Sequence, residues 1–232
     1  YRRCHGVGYM SLATVTDSLM AVRKLVYEQK QLAPRQLREA LEADFQGYEP
    51  VRQMLLNGAP KYGNDDDEAD AIAVAVVDAA CTAFLRHRTV DGGWFQACMA
   101  TNVNNIPAGA ITPATPDGRH AGTPLSDAAS PAFGRDEHGP TAVIASISKP
   151  DYTRCNCSVV NMRFLHDFFQ GEAGARFFGA ITRTFVRNRI QEMQFNFSDE
   201  ETLEKALADP EAYRDLLVRV SGFSAYFTQL DR

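Results

Sequence analysis

Apolar residues recur at helical spacing through the first third of the chain. The pattern predicts four helices, over 17–28, from Pro34 to about Gly47, from about Pro50 to Gly58, and over 67–88. Acids crowd the start of the last of these, and Arg86, His87 and Arg88 close it, which suits the helix dipole. The first part of the chain is therefore predicted to be largely helical.

The pattern changes after Gly92, where Gly, Pro, Asn and Asp interrupt short apolar pieces as far as Asp136. The pattern predicts a loop-rich stretch there, a strand over 141–148, a helix around 177–185, a strand over 192–197, a helix after the capping box at 198–201, and a short helical piece over 211–216. Alternation of helical and strand periods predicts an α/β fold.

Composition and charge limit the classes of protein. The chain has 232 residues, 45% of them hydrophobic, which is enough for a substantial core. The net charge of −5 without a basic stripe argues against a nucleic-acid partner. No apolar run approaches the roughly 20 residues that span a bilayer, and the start lacks an apolar signal region. These features predict a cytoplasmic protein without a membrane segment.

The five cysteines are irregularly spaced, which predicts reduced thiols rather than a disulfide framework. Cys155 and Cys157 form the closest pair, but a C-x-C pair without a second pair is a poor zinc site. The acidic run 65–67 lacks the alternating ligands and the glycine of a calcium loop, and is interpreted as the start of a helix. No metal site is predicted.

A glycine, Gly222, interrupts the strand-prone apolar run 217–227 near the end of the chain. Such a glycine commonly marks a turn or a close backbone approach. The run L-V-R-V-S-G-F-S-A-Y-F also resembles the R-V-x-G-Y-x-A signature of glycyl radical enzymes, in which the glycine holds the radical. Both interpretations can hold together.

Four more segments resemble the same family in the same order. They are the D-S-L segment from Ser11 to Tyr27, N-G-A-P-K-Y-G-N-D-D-D over 57–67, T-P-D-G-R over 115–119 with its continuation to Ala142, and Q-F-N over 194–196. Short strings of this kind are individually weak signals, but five in order form a strong resemblance.

The resemblance implies a fold and a division into domains. The chain would be the C-terminal part of a ten-stranded α/β barrel with surrounding helices. Residues 1–110 would belong to the pyruvate formate-lyase-like domain, cut at its N-terminus, and 111–232 to the glycine radical domain, cut at its C-terminus.

The resemblance also implies the chemistry. Gly222 would be the catalytic residue and carry a protein-derived glycyl radical. The radical would be generated by a separate activating enzyme that holds an iron–sulfur cluster and S-adenosylmethionine, with no cofactor bound by this chain. A cysteine thiyl would then cleave a bond of a small substrate of anaerobic metabolism, and the full-length protein would form a homodimer.

Physical chemistry explains why a glycine suits this role. Loss of one hydrogen from its Cα leaves a planar carbon whose spin spreads over the flanking amide and carbonyl, and a Cβ would hinder that planarity. A carbon radical reacts with dioxygen, so the site should be closed. We therefore expect the bulky flanking side chains to be buried, namely Val218, Val220, Phe223, Tyr226 and Phe227.

Three departures from the family pattern stand out. None of the five cysteines lies in a G-C-x-E-like motif, which in the family precedes the D-S-L segment, and we expect the chain to be a fragment. Phe223 replaces the usual tyrosine and so lacks its hydroxyl. Ala128 stands where members often have glycine after the aspartate.

Several alternatives stay open at this point. The P-L-S-D and S-A-Y-F strings favour a dehydratase or lyase branch over a formate C-acetyltransferase, that is, pyruvate formate-lyase proper. A spare part that restores a damaged enzyme, or a scaffold without chemistry, are further possibilities. Asn161 and His166 fall where family members place pocket residues, but a solvated loop asparagine and a surface histidine are the favoured interpretation.

Overall fold

The computed structural model describes residues 3–101, 103–164, 169–196, 200–219 and 223–230. The helices are α1 (Leu12–Ala21), α2 (Pro34–Glu42), α3 (Glu49–Asn57), α4 (Asp67–Leu85), α5 (Asn105–Ile111), α6 (Pro140–Ser148), α7 (Gly171–Arg187) and α8 (Glu200–Ala208). The strands are β1 (Cys4–Gly8), β2 (Trp94–Met99), β3 (Cys157–Arg163), β4 (Glu192–Asn196), β5 (Leu217–Arg219) and β6 (Ser224–Tyr226).

Four of these strands form one parallel sheet in the order β1-β2-β3-β4. The register pairs Cys4 with Trp94, Cys98 with Cys157, and Val160 with Met193. Helices lie between these strands along the chain, as parallel pairing requires a crossover connection. The predicted α/β fold is confirmed, and β5 with β6 forms a separate antiparallel ladder.

One hydrophobic core joins the two halves of the chain. Its fully buried members come from both sides of position 110 and include Leu12, Tyr62, Val77, Met99, Ile144, Val160 and Ile181. A second cluster is built on α1, α2 and α3 around Met20, Leu25 and Leu55. The sheet and the long helix α4 thus share one packed interior, which fixes the positions of the loops between them.

Helix α4 begins as its sequence predicts. The Asp66 side chain accepts hydrogen bonds from the backbone N–H groups of Glu68 and Ala69, both at 3.0 Å. Three acids occupy the first turn, where the positive end of the helix dipole stabilises them. The interpretation of the acidic run as a helix start is confirmed.

The first two helices are also confirmed, with different boundaries. Helix α1 begins at Leu12, before the predicted start, and the chain continues as a π-helix over Val22–Glu28. Helix α2 ends at Glu42 rather than at Gly47, because the next turn passes through positive φ at Asp44 and Phe45.

The predicted strand over 141–148 is wrong, because this segment is helix α6. Its buried residues Val143, Ile144 and Ile147 are spaced one and four apart, which is a helical face. Pro140 occupies the first turn, where the missing N–H costs nothing. Burial against the core outweighs the strand propensity of the β-branched residues here.

Two further predictions fail in the local detail. The stretch from Gly92 to Asp136 is not wholly loop, since it contains β2 and α5. The short helical piece over 211–216 is a series of turns instead. The predicted helix around 177–185 and the strand after it are confirmed as α7 and β4, whereas Ser198 of the proposed capping box lies outside the described residues.

Candidate functional site

The motif glycine lies in sequence between the two strands of the C-terminal hairpin. In the antiparallel ladder Leu217 pairs with Tyr226 and Arg219 with Ser224. The N–H of Phe227 donates to the carbonyl oxygen of Leu216 at 2.8 Å and extends the pairing by one step. Gly222 itself lies outside the described residues.

The side chains that flank Gly222 are not buried as expected. Phe223 is 52% exposed and Tyr226 is 41% exposed, while Val218 and Phe227 are half-buried and Val220 lies outside the described side chains. Strands of three residues can cover little of their own apolar surface, so a lone hairpin does not bury these rings. Within this chain the predicted closed environment is wrong for the described flanks.

A second feature is a cavity of about 220 Å³ on which three of the sequence motifs converge. Asp17 comes from the D-S-L segment, Lys61 from P-K-Y-G-N, and Asp117 and Arg119 from T-P-D-G-R. Arg135 adds a further charged side chain. Residues far apart in the sequence therefore meet in one polar cavity.

Three of these groups, Asp17, Lys61 and Asp117, are ionisable and almost fully buried. Asp17 is 1% exposed and Lys61 is 9% exposed. Burial raises the pKa of Asp17 to about 7, although Lys61 and the N–H of Tyr62, which donates to Asp17 Oδ1 at 2.8 Å, oppose that rise. Burial also lowers the pKa of Lys61, against the opposing charges of Asp17 and Asp117. Shifts of this kind in a cavity are typical of functional sites.

Arg119 holds the T-P-D-G-R loop in place through its guanidinium group. The acceptors are the carbonyl oxygens of Thr112, Pro113, His120 and Thr123 and the hydroxyl of Thr115. Five donors in a rigid fork thus bind one loop together. The role of Arg119 is therefore to fix the wall of the cavity.

Gly118 allows this loop to approach helix α3 closely. Its φ is +92°, and a Cβ there would lie 2.7 Å from Cγ and Cδ2 of Leu56. Arg52 Nε donates to the Gly118 carbonyl oxygen at 3.0 Å. Only a residue without a side chain fits this turn.

Asn161 is not the solvated loop residue that was favoured. It lies in β3, half-buried, where its side-chain amide donates to the carboxylate of Asp127 and its backbone N–H donates to Ser130 Oγ at 2.9 Å. These bonds tie the strand to the 127–130 loop. His166 lies outside the described residues.

The cysteines are free thiols. Cys81 and Cys155 are buried with their sulfur atoms 3.4 Å apart, and burial raises the pKa of the Cys155 thiol. Burial also raises the pKa of Cys157 to about 11. Thiols held protonated in this way are poor nucleophiles.

Neither a membrane span nor a metal centre is formed by the residues that the structure describes. Their helices include none that combines the length and apolar character of a membrane span. Their His, Cys, Asp and Glu side chains form no group of three or more placed to hold a metal ion.

Family models identify the class of protein. A model described as pyruvate formate lyase-like matches residues 1–109, and one described as glycine radical matches residues 125–228. The parallel sheet takes β1 and β2 from the first matched region and β3 and β4 from the second. The chain belongs to the glycyl radical enzyme family.

Curated relatives agree with this assignment. The chain is 40% identical over 225 residues to an isethionate sulfite-lyase of Bilophila wadsworthia, covering 96% of this chain and 27% of that protein. It is 37% identical over 231 residues to a trans-4-hydroxy-L-proline dehydratase of Clostridioides difficile, covering 100% of this chain and 29% of that protein. The chain thus spans under a third of the length of these relatives.

Solved structures show the same fold. A glycerol-bound B12-independent glycerol dehydratase from Clostridium butyricum matches with a TM-score of 0.95 and 36% identity over 99% of this chain and 29% of that one. A hydroxyproline dehydratase from Clostridioides difficile matches with a TM-score of 0.95 and 35% identity over 100% of this chain and 29% of that one. The predicted family fold is confirmed.

Proposed function

We propose that the full-length protein is a glycyl radical enzyme of the dehydratase or lyase type, and that Gly222 stores its radical. The match of the glycine radical model over 125–228, which includes Gly222, carries this proposal. The named relatives act as dehydratases or as a sulfite-lyase, which favours this branch over a formate C-acetyltransferase.

We propose the same domain division as the sequence suggests, with 1–110 in the lyase-like domain and 111–232 in the glycine radical domain. The first family model ends at residue 109 and the second begins at residue 125, and the proposed boundary between 110 and 111 lies between these two matches, which supports this division. The extent of the first model also argues against a spare part limited to the radical domain.

In the proposed reaction Gly222 loses one Cα hydrogen atom to a radical S-adenosylmethionine activating enzyme with an iron–sulfur cluster. A cysteine then gives its thiol hydrogen atom to Gly222, and the resulting thiyl acts on a small organic substrate. None of the five cysteines here lies in the expected motif, so we assign this thiol to another part of the full-length protein. The protein's contribution is to position and shield the radical.

The wider assembly is part of the same proposal. We propose a cytoplasmic homodimer in which other parts of the full-length protein cover Phe223 and Tyr226, whose exposed rings are suited to a packed interface. Such a cover would supply the closed environment that the hairpin lacks.

Electron paramagnetic resonance of the full-length protein tests the radical assignment. After anaerobic incubation with its activating enzyme, the wild-type protein should give an organic radical signal, and Gly222→Ala should give none. Gly179→Ala is a matched control, because a Cβ there would meet only the flexible end of Arg183 and alanine favours the helix. A signal that survives in Gly222→Ala would refute the assignment.

A further inference from the structure

We propose that the cavity beside Asp17 and Lys61 binds a small oxyanion, either a tetrahedral anion such as sulfate or phosphate or a small carboxylate. The proposal concerns the cavity alone and does not depend on a radical at Gly222. It rests on the charges of the lining, on the donors that the lining leaves unused, and on the size of the space.

Positive charge exceeds negative charge around the cavity. The lining contains four residues with cationic side chains, two with carboxylates, and one histidine, namely Arg52, Lys61, Arg119 and Arg135, Asp17 and Asp117, and His120. Burial is the main cause of the lowered pKa of Lys61, and repulsion by the charge of Arg135 lowers that pKa further. An anion between these two cations would relieve that repulsion.

Two of the cations have donors to spare. Lys61 Nζ donates to the carbonyl oxygen of Leu55 at 2.7 Å, which uses one of its three protons. The half-buried guanidinium of Arg135 makes no hydrogen bond to any residue that the structure describes. Arg119 and Arg52, by contrast, already bond to the walls.

The unused donors select the chemistry of the ligand. A guanidinium group presents paired N–H donors that match two oxygens of a carboxylate, sulfate or phosphate. Each carboxylate already accepts a hydrogen bond from the walls, Asp17 Oδ1 from the Tyr62 N–H and Asp117 Oδ1 from the backbone N–H of Arg119 at 3.3 Å. Ammonium and guanidinium groups would also repel a metal ion.

The volume of the cavity limits the ligand. At about 220 Å³ it lies below the roughly 300–1,000 Å³ of pockets that hold drug-sized molecules. The space suits a small anion together with a few waters, each of which occupies about 30 Å³.

Calorimetric titration of the unactivated full-length protein with sodium sulfate and, separately, with sodium acetate tests this proposal. Sodium chloride should hold the ionic strength constant, so that general screening does not change. We expect saturable binding of at least one anion. The tighter of the two identifies whether the site prefers a tetrahedral anion or a carboxylate.

Variants of Arg135 connect the binding to the cavity. Arg135→Gln should weaken the anion by about tenfold or more, because a charge-assisted hydrogen bond is lost. Arg135→Lys keeps the charge without the fork and should bind with intermediate affinity. The control is Arg38→Gln, whose side chain is 70% exposed and pairs with Glu42 on the surface of α2. It should leave the affinity unchanged.

Two results would overturn the proposal. One is that neither anion binds at tens of millimolar. The other is that Arg135→Gln, shown to be folded by its thermal melting curve, binds the anion as tightly as the wild type.

A pH series with sulfate, which stays fully ionised, adds a second readout. Binding should weaken from pH 6 to pH 8 as Asp17, which faces Lys61, Asp117 and Arg135, gains negative charge. A constant affinity across this range in the wild type would also contradict the placement of the anion beside Asp17.

Discussion

Asp17 and Lys61 in the cavity are 1% and 9% exposed, whereas Phe223 and Tyr226 beside the motif glycine are 52% and 41% exposed. Both regions are built from segments that resemble family motifs. The residues that line the cavity come from α1, α3 and the loops beside them. Strands β5 and β6 pair with each other, but the rings of Phe223 and Tyr226 beside them stay exposed. Motif residues can therefore be fixed by their own chain in one region and left exposed by it in another.

The largest effect on stability should come from the turn at Gly118, which lines the cavity. Gly118→Ala introduces a Cβ at 2.7 Å from Leu56 and at a φ of +92°. We expect a loss of about 3 kcal/mol, which combines overpacking of about 1–3 kcal/mol with backbone strain of about 1–2 kcal/mol. The midpoint of thermal unfolding of the full-length protein measures it.

Gly122→Ala is the matched control for this substitution. Gly122 has a similar φ of +77° but no neighbouring atom within 4 Å of an added Cβ. This substitution should lower the stability only by the backbone strain of about 1–2 kcal/mol. Equal shifts of the two midpoints would show that the close approach to Leu56 contributes nothing.

The buried carboxyl predicts a pH dependence of intermediate size. Its pKa is raised from 3.8 to about 7 in the folded protein, so folding favours the protonated form. The stabilisation from Asp17 is complete below about pH 4 and is lost as the pH rises to about 7. Wild-type stability should therefore fall relative to Asp17→Asn between pH 5 and pH 8.

Asn at position 17 keeps an acceptor for the Tyr62 N–H but cannot ionise. Thermal midpoints of the wild type and of Asp17→Asn are measured across the pH series. The quantity compared is the difference between the two midpoints at each pH. A difference that stays constant between pH 5 and pH 8 would mean that Asp17 is ionised throughout.

The smallest effect should come from the hairpin. Phe223→Tyr restores the hydroxyl that is usual in the family, on a ring that is 52% exposed. Because the new group lies near solvent in this chain, stability should change by less than about 0.5 kcal/mol. The thermal midpoint of the 232-residue chain tests this value, and a larger change there would contradict the exposure of the ring. In the full-length protein, where we propose that other segments cover Phe223, a larger change is expected.

The sequence predicted the features that depend on local signals. Helix α4 was recognised because Asp66 caps it and acids fill its first turn. Strands β1 and β2 were missed because each is only five or six residues long and its parallel partner lies about 90 residues away. Helix α6 was mistaken for a strand because Val143, Ile144 and Ile147 are β-prone, and only the packed core distinguishes the two states.

The two candidate sites, Gly222 and the cavity, also differ in how far the sequence alone reveals them. Gly222 was found from a string of neighbouring residues, which a sequence displays directly. The cavity joins Asp17, Lys61, Asp117 and Arg135, which only the tertiary fold brings together. The sequence displays each motif separately, but nothing local indicates that they share one cavity.

Exposure of the activated protein to air is the sharpest test of whether the radical resides on Gly222. Dioxygen adds to a carbon radical and leads to scission of the backbone there, so mass spectrometry of the products locates the radical. A radical on Gly222 should give one new break at the Ser221–Gly222 position, absent from unactivated protein. An activated protein that stays intact in air, or that breaks elsewhere, would contradict it.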